Sequence, residues 1–212
     1  MSVKGVIYMK VKKGSKILVY GDSITDAGRS FQDRNDLGKG YCLYLQEALA
    51  GKATVINRGV GGDRSIDLLK RYEKDVLAEK PDYIIILIGI NDVWHQYALG
   101  KIVTDEEFQT NMETLLEKIR QDLNIPVLLI EPFIIDIDPE KNRFYQELYP
   151  RVLILRRLAS KFCHEYLTLD GRFREASVTK PPVYWSEDGV HPTAEGHKFI
   201  ANEILKKITV TE

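Results

Sequence analysis

The sequence has little cysteine and almost no net charge, and each of these absences excludes a class of protein. The two cysteines, Cys42 and Cys163, lie far apart with no Cys-x-x-Cys pattern around them. We therefore predict free thiols rather than a disulfide framework or a metal site. The formal net charge is −1, which leaves no basic excess for binding phosphate backbones. No nucleic acid partner is expected.

The chain also lacks a long apolar run. Its longest one extends from Tyr83 to Ile88, far short of the roughly 20 residues that span a bilayer. The first residues, MSVKGVIYMKVKKGSK, scatter lysines among apolar residues and contain neither the continuous apolar region nor the cleavage site of a secretion signal. With the low cysteine content, these features predict a cytoplasmic location and no membrane partner.

Apolar, β-branched runs alternate with segments of helical periodicity along the 212 residues. The middle runs are apolar at successive positions, as expected when helices cover both faces of a parallel sheet. This alternation predicts one α/β domain over residues 16–212, a three-layer α/β/α sandwich with a five-stranded, mainly parallel, flavodoxin-like sheet. Residues 1–15 form an N-terminal extension. Two interpretations of it stay open: an extra strand that packs on this domain, or one that packs on a neighbouring subunit. The predicted strands are Lys16–Tyr20, Ala53–Asn57, Asp82–Ile88, Ile125–Glu131 and Tyr166–Leu169.

Chemically capable residues follow the strands, where sites in such sheets are built. They are a hydroxyl at Ser23, a glycine amide at Gly62, a carboxamide at Asn91, and a carboxylate and an imidazole at Asp188 and His191. Acyl transfer needs this set of nucleophile, base, orienting carboxylate and oxyanion donors. The three-residue spacing lets Asp188 face Nδ1 of His191 and leaves Nε2 for Ser23. Each segment alone also fits an ordinary turn or helix cap, but their joint occurrence favours a site.

The segments GDSIT, NRGVGGD, GIND and DGVH resemble the four sequence blocks of the SGNH hydrolases, also called GDSL esterases and lipases. The resemblance implies a triad of Ser23, His191 and Asp188. It also implies an oxyanion hole made of the backbone N–H groups of Ser23 and Gly62 and the side-chain amide of Asn91. This chemistry requires no metal or cofactor, and the sequence has no His-Glu-x-x-His motif to suggest one.

The segments GDSITDAGR and GINDVWHQY further resemble the intracellular bacterial acetylesterases of this family that act on xylo-oligosaccharides. This resemblance implies a small-molecule ester substrate, with acetyl groups on an oligosaccharide, and a homo-oligomer. Aromatic rings beside polar groups suit a sugar, although a tryptophan here also fits simple packing of loops onto the core. A thioesterase or lysophospholipase-type acylhydrolase and an inactive binding module stay open as alternatives. The candidate substrate contacts are Trp94, His95, Tyr97, Tyr184 and Trp185.

Overall fold

Strands and helices alternate along residues 9–212, the part of the chain that the computed structural model describes. The strands are β1 (Met9–Lys12), β2 (Ser15–Gly21), β3 (Ala53–Gly59), β4 (Tyr83–Leu87), β5 (Val127–Ile130), β6 (Glu165–Leu167) and β7 (Ile208–Thr211). The helices are α1 (Ser23–Asp26), α2 (Tyr41–Ala48), α3 (Ser65–Asp75), α4 (Ile90–Leu99), α5 (Asp105–Asp122), α6 (Pro139–Asn142), α7 (Tyr145–Phe162), α8 (Leu169–Ser177) and α9 (Ala194–Leu205).

Five of these strands form the central sheet in the order β3-β2-β4-β5-β6, and every neighbouring pair is parallel. Counted within the sheet alone, this is the order 2-1-3-4-5 of flavodoxin-like folds. The predicted fold class is therefore confirmed. Each predicted strand corresponds to an observed one, and the ends differ by no more than two residues.

Alternate residues of the central strands enter two separate cores. On β2, Ile17 and Val19 belong to one core, whereas Leu18 and Tyr20 belong to the other. Residues of α2, α8 and α9 belong to the first core, residues of α3 and α5 belong to the second, and α7 contributes to both. Because both faces of the sheet are buried, the strands are apolar at successive positions. The carboxyl ends of these strands share one edge, where the candidate site lies.

The N-terminal strand stands apart from the central sheet. β1 pairs in parallel with β7, from Met9 beside Ile208 to Lys12 beside Thr211, and the apolar side chains of β1 join the first core. Of the predicted extension over residues 1–15, residues 1–8 lie outside the described part. The assignment of residues 16–212 to one domain stays a prediction.

Three further features concern the predictions from composition. Cys42 and Cys163 are free thiols, and Cys42 is buried. Within residues 9–212, no helix combines the length and apolarity that crossing a bilayer would require. The same stretch contains no group of three or more His, Cys, Asp or Glu side chains that could hold a metal ion.

Candidate active site

Ser23 lies directly beyond the carboxyl end of β2, as the first residue of α1. The turn before it is tight, because a Cβ at Gly21 would lie 2.3 Å from Oγ1 of Thr25. Asp22 is buried, and its Oδ1 caps α1 by accepting a hydrogen bond of 3.0 Å from the backbone N–H of Ile24. This turn leaves Ser23 half-buried at the edge of the sheet.

A hydrogen-bonded series joins Ser23, His191 and Asp188. Oγ of Ser23 is 3.1 Å from Nε2 of His191, and Nδ1 of His191 is 3.0 Å from Oδ2 of Asp188. The other carboxylate oxygen, Oδ1, accepts from the backbone N–H groups of Val190 at 2.9 Å and of His191 at 2.7 Å. The structure thus brings these three predicted residues together, with one imidazole nitrogen toward the carboxylate and the other toward the hydroxyl.

Asp188 and His191 each stabilise the charged form of the other. Burial would raise the pKa of Asp188, but hydrogen bonds from the side chain and backbone of His191 and from the backbone of Val190 outweigh it and hold the pKa below its usual range. The hydrogen bond to Asp188 raises the pKa of His191, and burial of the ring opposes this rise. Asp188 is therefore charged at neutral pH and stabilises a proton on His191.

Ser186 fixes the loop that carries Asp188 and His191, residues 186–192, which we call the Asp-His loop. Its buried hydroxyl donates to the carbonyl of His191 at 2.7 Å and accepts from the N–H of Gly189 at 2.9 Å. Gly189 has a φ of +90°, and a Cβ there would lie 2.7 Å from the carbonyl oxygen of Ile135, so this turn requires glycine. The sequence analysis missed Ser186, because no local pattern separates it from an ordinary surface serine.

The two other candidate oxyanion donors lie at the neighbouring strand ends. β3 continues to Gly59, two residues beyond its predicted end, so the glycine block begins inside the strand. Gly62 follows with a φ of +81°. Asn91 lies in the first turn of α4, and its Nδ2 donates to the carbonyl of Asp63 at 3.0 Å. An amide nitrogen carries two hydrogens, so the second can be donated to an oxyanion.

Two polar groups hold these strand ends together. Asp92 is fully buried and accepts from the N–H of Ser65 at 2.9 Å and from its hydroxyl at 2.6 Å. Burial raises the pKa of Asp92 to about 6, against the opposing effect of these bonds. Arg71 donates to the carbonyl of Gly21 at 3.0 Å and to Oδ2 of Asp63 at 2.6 Å. The loops that carry the three candidate donors are thereby linked to one another.

Two of the five predicted substrate contacts, Trp94 and His95, lie beside this arrangement. The ring centroid of Trp94 is 5.7 Å from that of His191. Nε2 of His95 lies 4.0 Å from the point that a Cβ of Gly62 would occupy. Burial, helped by nearby positive charges, lowers the pKa of His95, so its neutral ring can both donate and accept hydrogen bonds.

The other three predicted contacts are engaged in packing. Tyr97 stacks on Phe144 with ring centroids 4.6 Å apart, and its hydroxyl donates to a carboxylate of α7 at 2.7 Å. Trp185 packs on Phe199 at 5.1 Å and on Tyr184 at 4.7 Å. Trp185 therefore packs a loop onto the core, as one of the two interpretations held, and it anchors the start of the Asp-His loop on α9.

Lys141 is a second residue that the sequence analysis missed. It lies on the short helix α6, and its Nζ donates to the carbonyl of Asp188 at 2.7 Å. The same Nζ lies 3.2 Å from Oδ2 of Asp188 and 4.8 Å from the ring centroid of Trp94. Nothing in the surrounding segment DPEKNRF distinguishes this lysine from a surface one.

Comparison with known proteins shows which family the chain resembles. Residues 19–199 match the model of the GDSL-like lipase/acylhydrolase family. The chain is 33% identical to an acetylxylan esterase of Geobacillus stearothermophilus over 94% of this chain and 96% of that one. The crystal structure of Axe2, an acetylxylan esterase from the same organism, covers 94% of this chain and 96% of its own, with a TM-score of 0.83 and 31% identity.

A second solved structure, of a protein from Parabacteroides merdae ATCC 43184, covers 95% of this chain and 98% of its own, with a TM-score of 0.88 and 31% identity. The family membership predicted from the four sequence blocks is confirmed. The chain is a carboxylic ester hydrolase and belongs to the GDSL-like lipase/acylhydrolase family.

Proposed function

We propose that the chain is a serine esterase that removes small acyl groups, above all acetyl, from acetylated oligosaccharides such as xylo-oligosaccharides. The observation that carries this proposal is the series from Ser23 through His191 to Asp188, with distances of 3.1 Å and 3.0 Å. In the Geobacillus acetylxylan esterase, alanine replacements of one serine, one aspartate and one histidine are described as catalytic mutants. Its aspartate and histidine are three positions apart, the spacing of Asp188 and His191.

In the first half of the reaction, Nε2 of His191 accepts the proton of Ser23 as Oγ attacks the ester carbonyl carbon. The carbonyl oxygen becomes negatively charged and accepts hydrogen bonds from the N–H groups of Ser23 and Gly62 and from Nδ2 of Asn91. The bond to the alcohol then breaks, and His191 gives its proton to the departing alcohol oxygen. The acyl group is left as an ester of Ser23.

The second half repeats these steps with water as the nucleophile. His191 accepts a proton from water, and the resulting hydroxide attacks the acyl carbon on Ser23. The same donors stabilise the oxyanion, and His191 returns the proton to Oγ as the acid leaves. Asp188 stays ionised throughout and stabilises each protonated state of His191.

The surroundings of the triad support a sugar ester. The ring of Trp94 beside His191 suits the CH face of a sugar ring, because an aromatic ring is apolar and lies here next to polar groups. The neutral ring of His95 near Gly62 offers a hydrogen-bonding partner for a sugar hydroxyl.

An assay of released acid on three substrates tests this proposal. It uses acetyl and octanoyl p-nitrophenyl esters and an acetylated xylo-oligosaccharide, with the wild type and Ser23→Ala. We expect the wild type to release acetate from the first and third substrates and Ser23→Ala to lose both activities. Preference for octanoate with no acetate from the sugar would contradict the substrate, and full activity of Ser23→Ala would contradict the mechanism.

A covalent probe separates the esterase from an inactive binding module. A serine-directed phosphonate should add once to the wild type, on a peptide that contains Ser23, and should not add to Ser23→Ala. Ser160→Ala is the control, because Ser160 is exposed and bonds only within α7. Absence of an adduct on the wild type would contradict the nucleophile.

The homo-oligomer and the cytoplasmic location stay predictions from the sequence. Sedimentation at working concentration tests the first, and fractionation of the native cells tests the second.

A further inference from the structure

Lys141 makes its contacts with the carboxylate side of the proposed triad. Its side chain is only 16% exposed, and its Nζ lies 2.7 Å from the carbonyl oxygen of Asp188 and 3.2 Å from Oδ2 of the same residue. Oδ2 is also the oxygen that faces Nδ1 of His191 at 3.0 Å. One carboxylate oxygen is therefore shared between the ammonium group and the imidazole.

Sharing this oxygen has an electrostatic consequence. The negative charge of Asp188 stabilises a proton on His191, whereas the positive charge of Lys141 opposes it. Because both charges act from the same side of the ring, the ammonium group partly cancels the effect of the carboxylate. The contact with the carbonyl oxygen of Asp188 also joins α6 to the Asp-His loop.

We propose that Lys141 is a positioning residue of the ester hydrolysis, which holds the Asp188 carboxylate against His191 and keeps His191 in its neutral, proton-accepting form at lower pH. This inference rests on the proposed function, in which neutral His191 takes the proton of Ser23. The positive charge of Lys141, rather than its hydrogen bond, carries the effect.

Two other titratable groups, Asp22 and His197, also act on the protonation of His191. Asp22 directly precedes Ser23, and burial raises its pKa to about 7, so its negative charge develops within the pH range of the titration. His197 on α9 is also close enough to act on the ring, but burial lowers its pKa to about 4, so it is neutral there. Among these groups, Lys141 is the cation that opposes Asp188 and Asp22.

Three substitutions of Lys141 separate charge from packing. Lys141→Met removes the charge and keeps an apolar stem over Trp94, Lys141→Gln keeps a hydrogen-bond donor without the charge, and Lys141→Arg keeps both. Lys161→Met is the matched control, because Lys161 also pairs with a carboxylate, Glu113 at 2.6 Å, but lies just before β6 at the opposite edge of the sheet.

The first readout is an NMR titration of the His191 imidazole, assigned among the four histidines by its absence in His191→Gln. We expect the midpoint to rise by about 0.5 to 1 pH unit in Lys141→Met and Lys141→Gln. Lys141→Arg and Lys161→Met should match the wild type. The second readout is the acid limb of kcat/KM against pH, which should shift by the same amount in the same variants.

A merely structural role would lower activity at all pH values without moving the midpoint of His191, and that result overturns the proposal. A midpoint that falls in Lys141→Met and Lys141→Gln overturns it as well. If Lys141→Met does not fold, Lys141→Gln gives the answer. If the wild type hydrolyses no ester, the proposed function fails, while the NMR titration still decides whether Lys141 controls the protonation of His191.

Discussion

The side-chain amide of Asn91 donates a hydrogen bond of 3.0 Å to the carbonyl oxygen of Asp63, the residue that follows Gly62. One candidate oxyanion donor is thus fixed by the backbone of the loop that carries another. Since the donors are held before any substrate arrives, little reorganisation is needed when the oxyanion forms.

Asn91→Ala should therefore lower kcat by about 10² to 10³ with little change in KM, because the donor acts on the charge that develops in the transition state. Steady-state kinetics on an acetyl ester measure this effect. Asn111→Ala is the control, because Asn111 bonds to the hydroxyl of Ser65 at 3.1 Å rather than to the glycine loop. Equal losses in both variants would contradict the role of Asn91.

Ser186→Ala should destabilise the protein by about 1 to 3 kcal/mol, because the buried N–H of Gly189 loses its partner and the carbonyl of His191 keeps only the N–H of Glu187. Activity should fall as well, since the Asp-His loop loses the bonds that hold His191 toward Ser23. Urea unfolding and acetyl ester kinetics measure the two effects. Ser160→Ala should change neither quantity, and an unaltered Ser186→Ala would show that other contacts suffice to fix the loop.

Gly59→Ala should destabilise the fold and reduce activity, because its Cβ would lie 2.1 Å from the backbone nitrogen of Asp26 in the helix that carries Ser23. A clash of this kind typically costs about 1 to 3 kcal/mol. Gly171→Ala in α8 meets no atom within 4 Å and should be neutral or stabilising by up to about 1 kcal/mol. Thermal unfolding of the two variants compares them directly, and a Gly59→Ala protein as stable as Gly171→Ala would refute the close approach.

Asp22→Asn should change the pH dependence of stability. Burial raises the pKa of Asp22 from its ordinary 3.8 to about 7, so folding favours the neutral carboxyl. The stability that this group contributes is present below about pH 4 and is lost as the pH rises to about 7. Asparagine keeps an oxygen to accept from Ile24 and carries no charge. The free energy of unfolding of Asp22→Asn should therefore increase relative to that of the wild type as the pH rises across this range.

The contrast for that measurement is Asp36→Asn. Backbone hydrogen bonds from Ser30 and Gly38 lower the pKa of Asp36, so its contribution to stability is present above its ordinary pKa and is lost in acid. The difference between Asp36→Asn and the wild type should therefore move in the opposite direction. Urea unfolding at several pH values gives both series, and a common trend would contradict the assignment for Asp22.

The fold could be predicted from the sequence because its signals are local. Ile17 and Leu18 belong to different cores, and this burial of both faces is what makes the run apolar at successive positions. The predicted site residues come together for a related reason. Ser23, Gly62 and Asn91 each follow a strand, and the carboxyl ends of parallel strands meet at one edge.

What the sequence could not reveal depends on contacts between distant segments. Lys141 and Asp188 are 47 positions apart, and α6 must fold over the Asp-His loop before they meet. Trp94 and Trp185 illustrate a different limit. Both are aromatic residues near candidate site residues, but Trp94 contacts His191 whereas Trp185 packs on Phe199, and residue type alone fits either environment.

The pairing of β1 with β7 has a mechanical consequence. Because the two strands are parallel, tension applied through the two ends of the described chain pulls them along their common axis in opposite directions. Their hydrogen bonds then carry the load together in shear rather than separating one after another. α9 connects the Asp-His loop to β7. The β1–β7 pair therefore bears an applied tension before the tension reaches α9, the helix that follows His191.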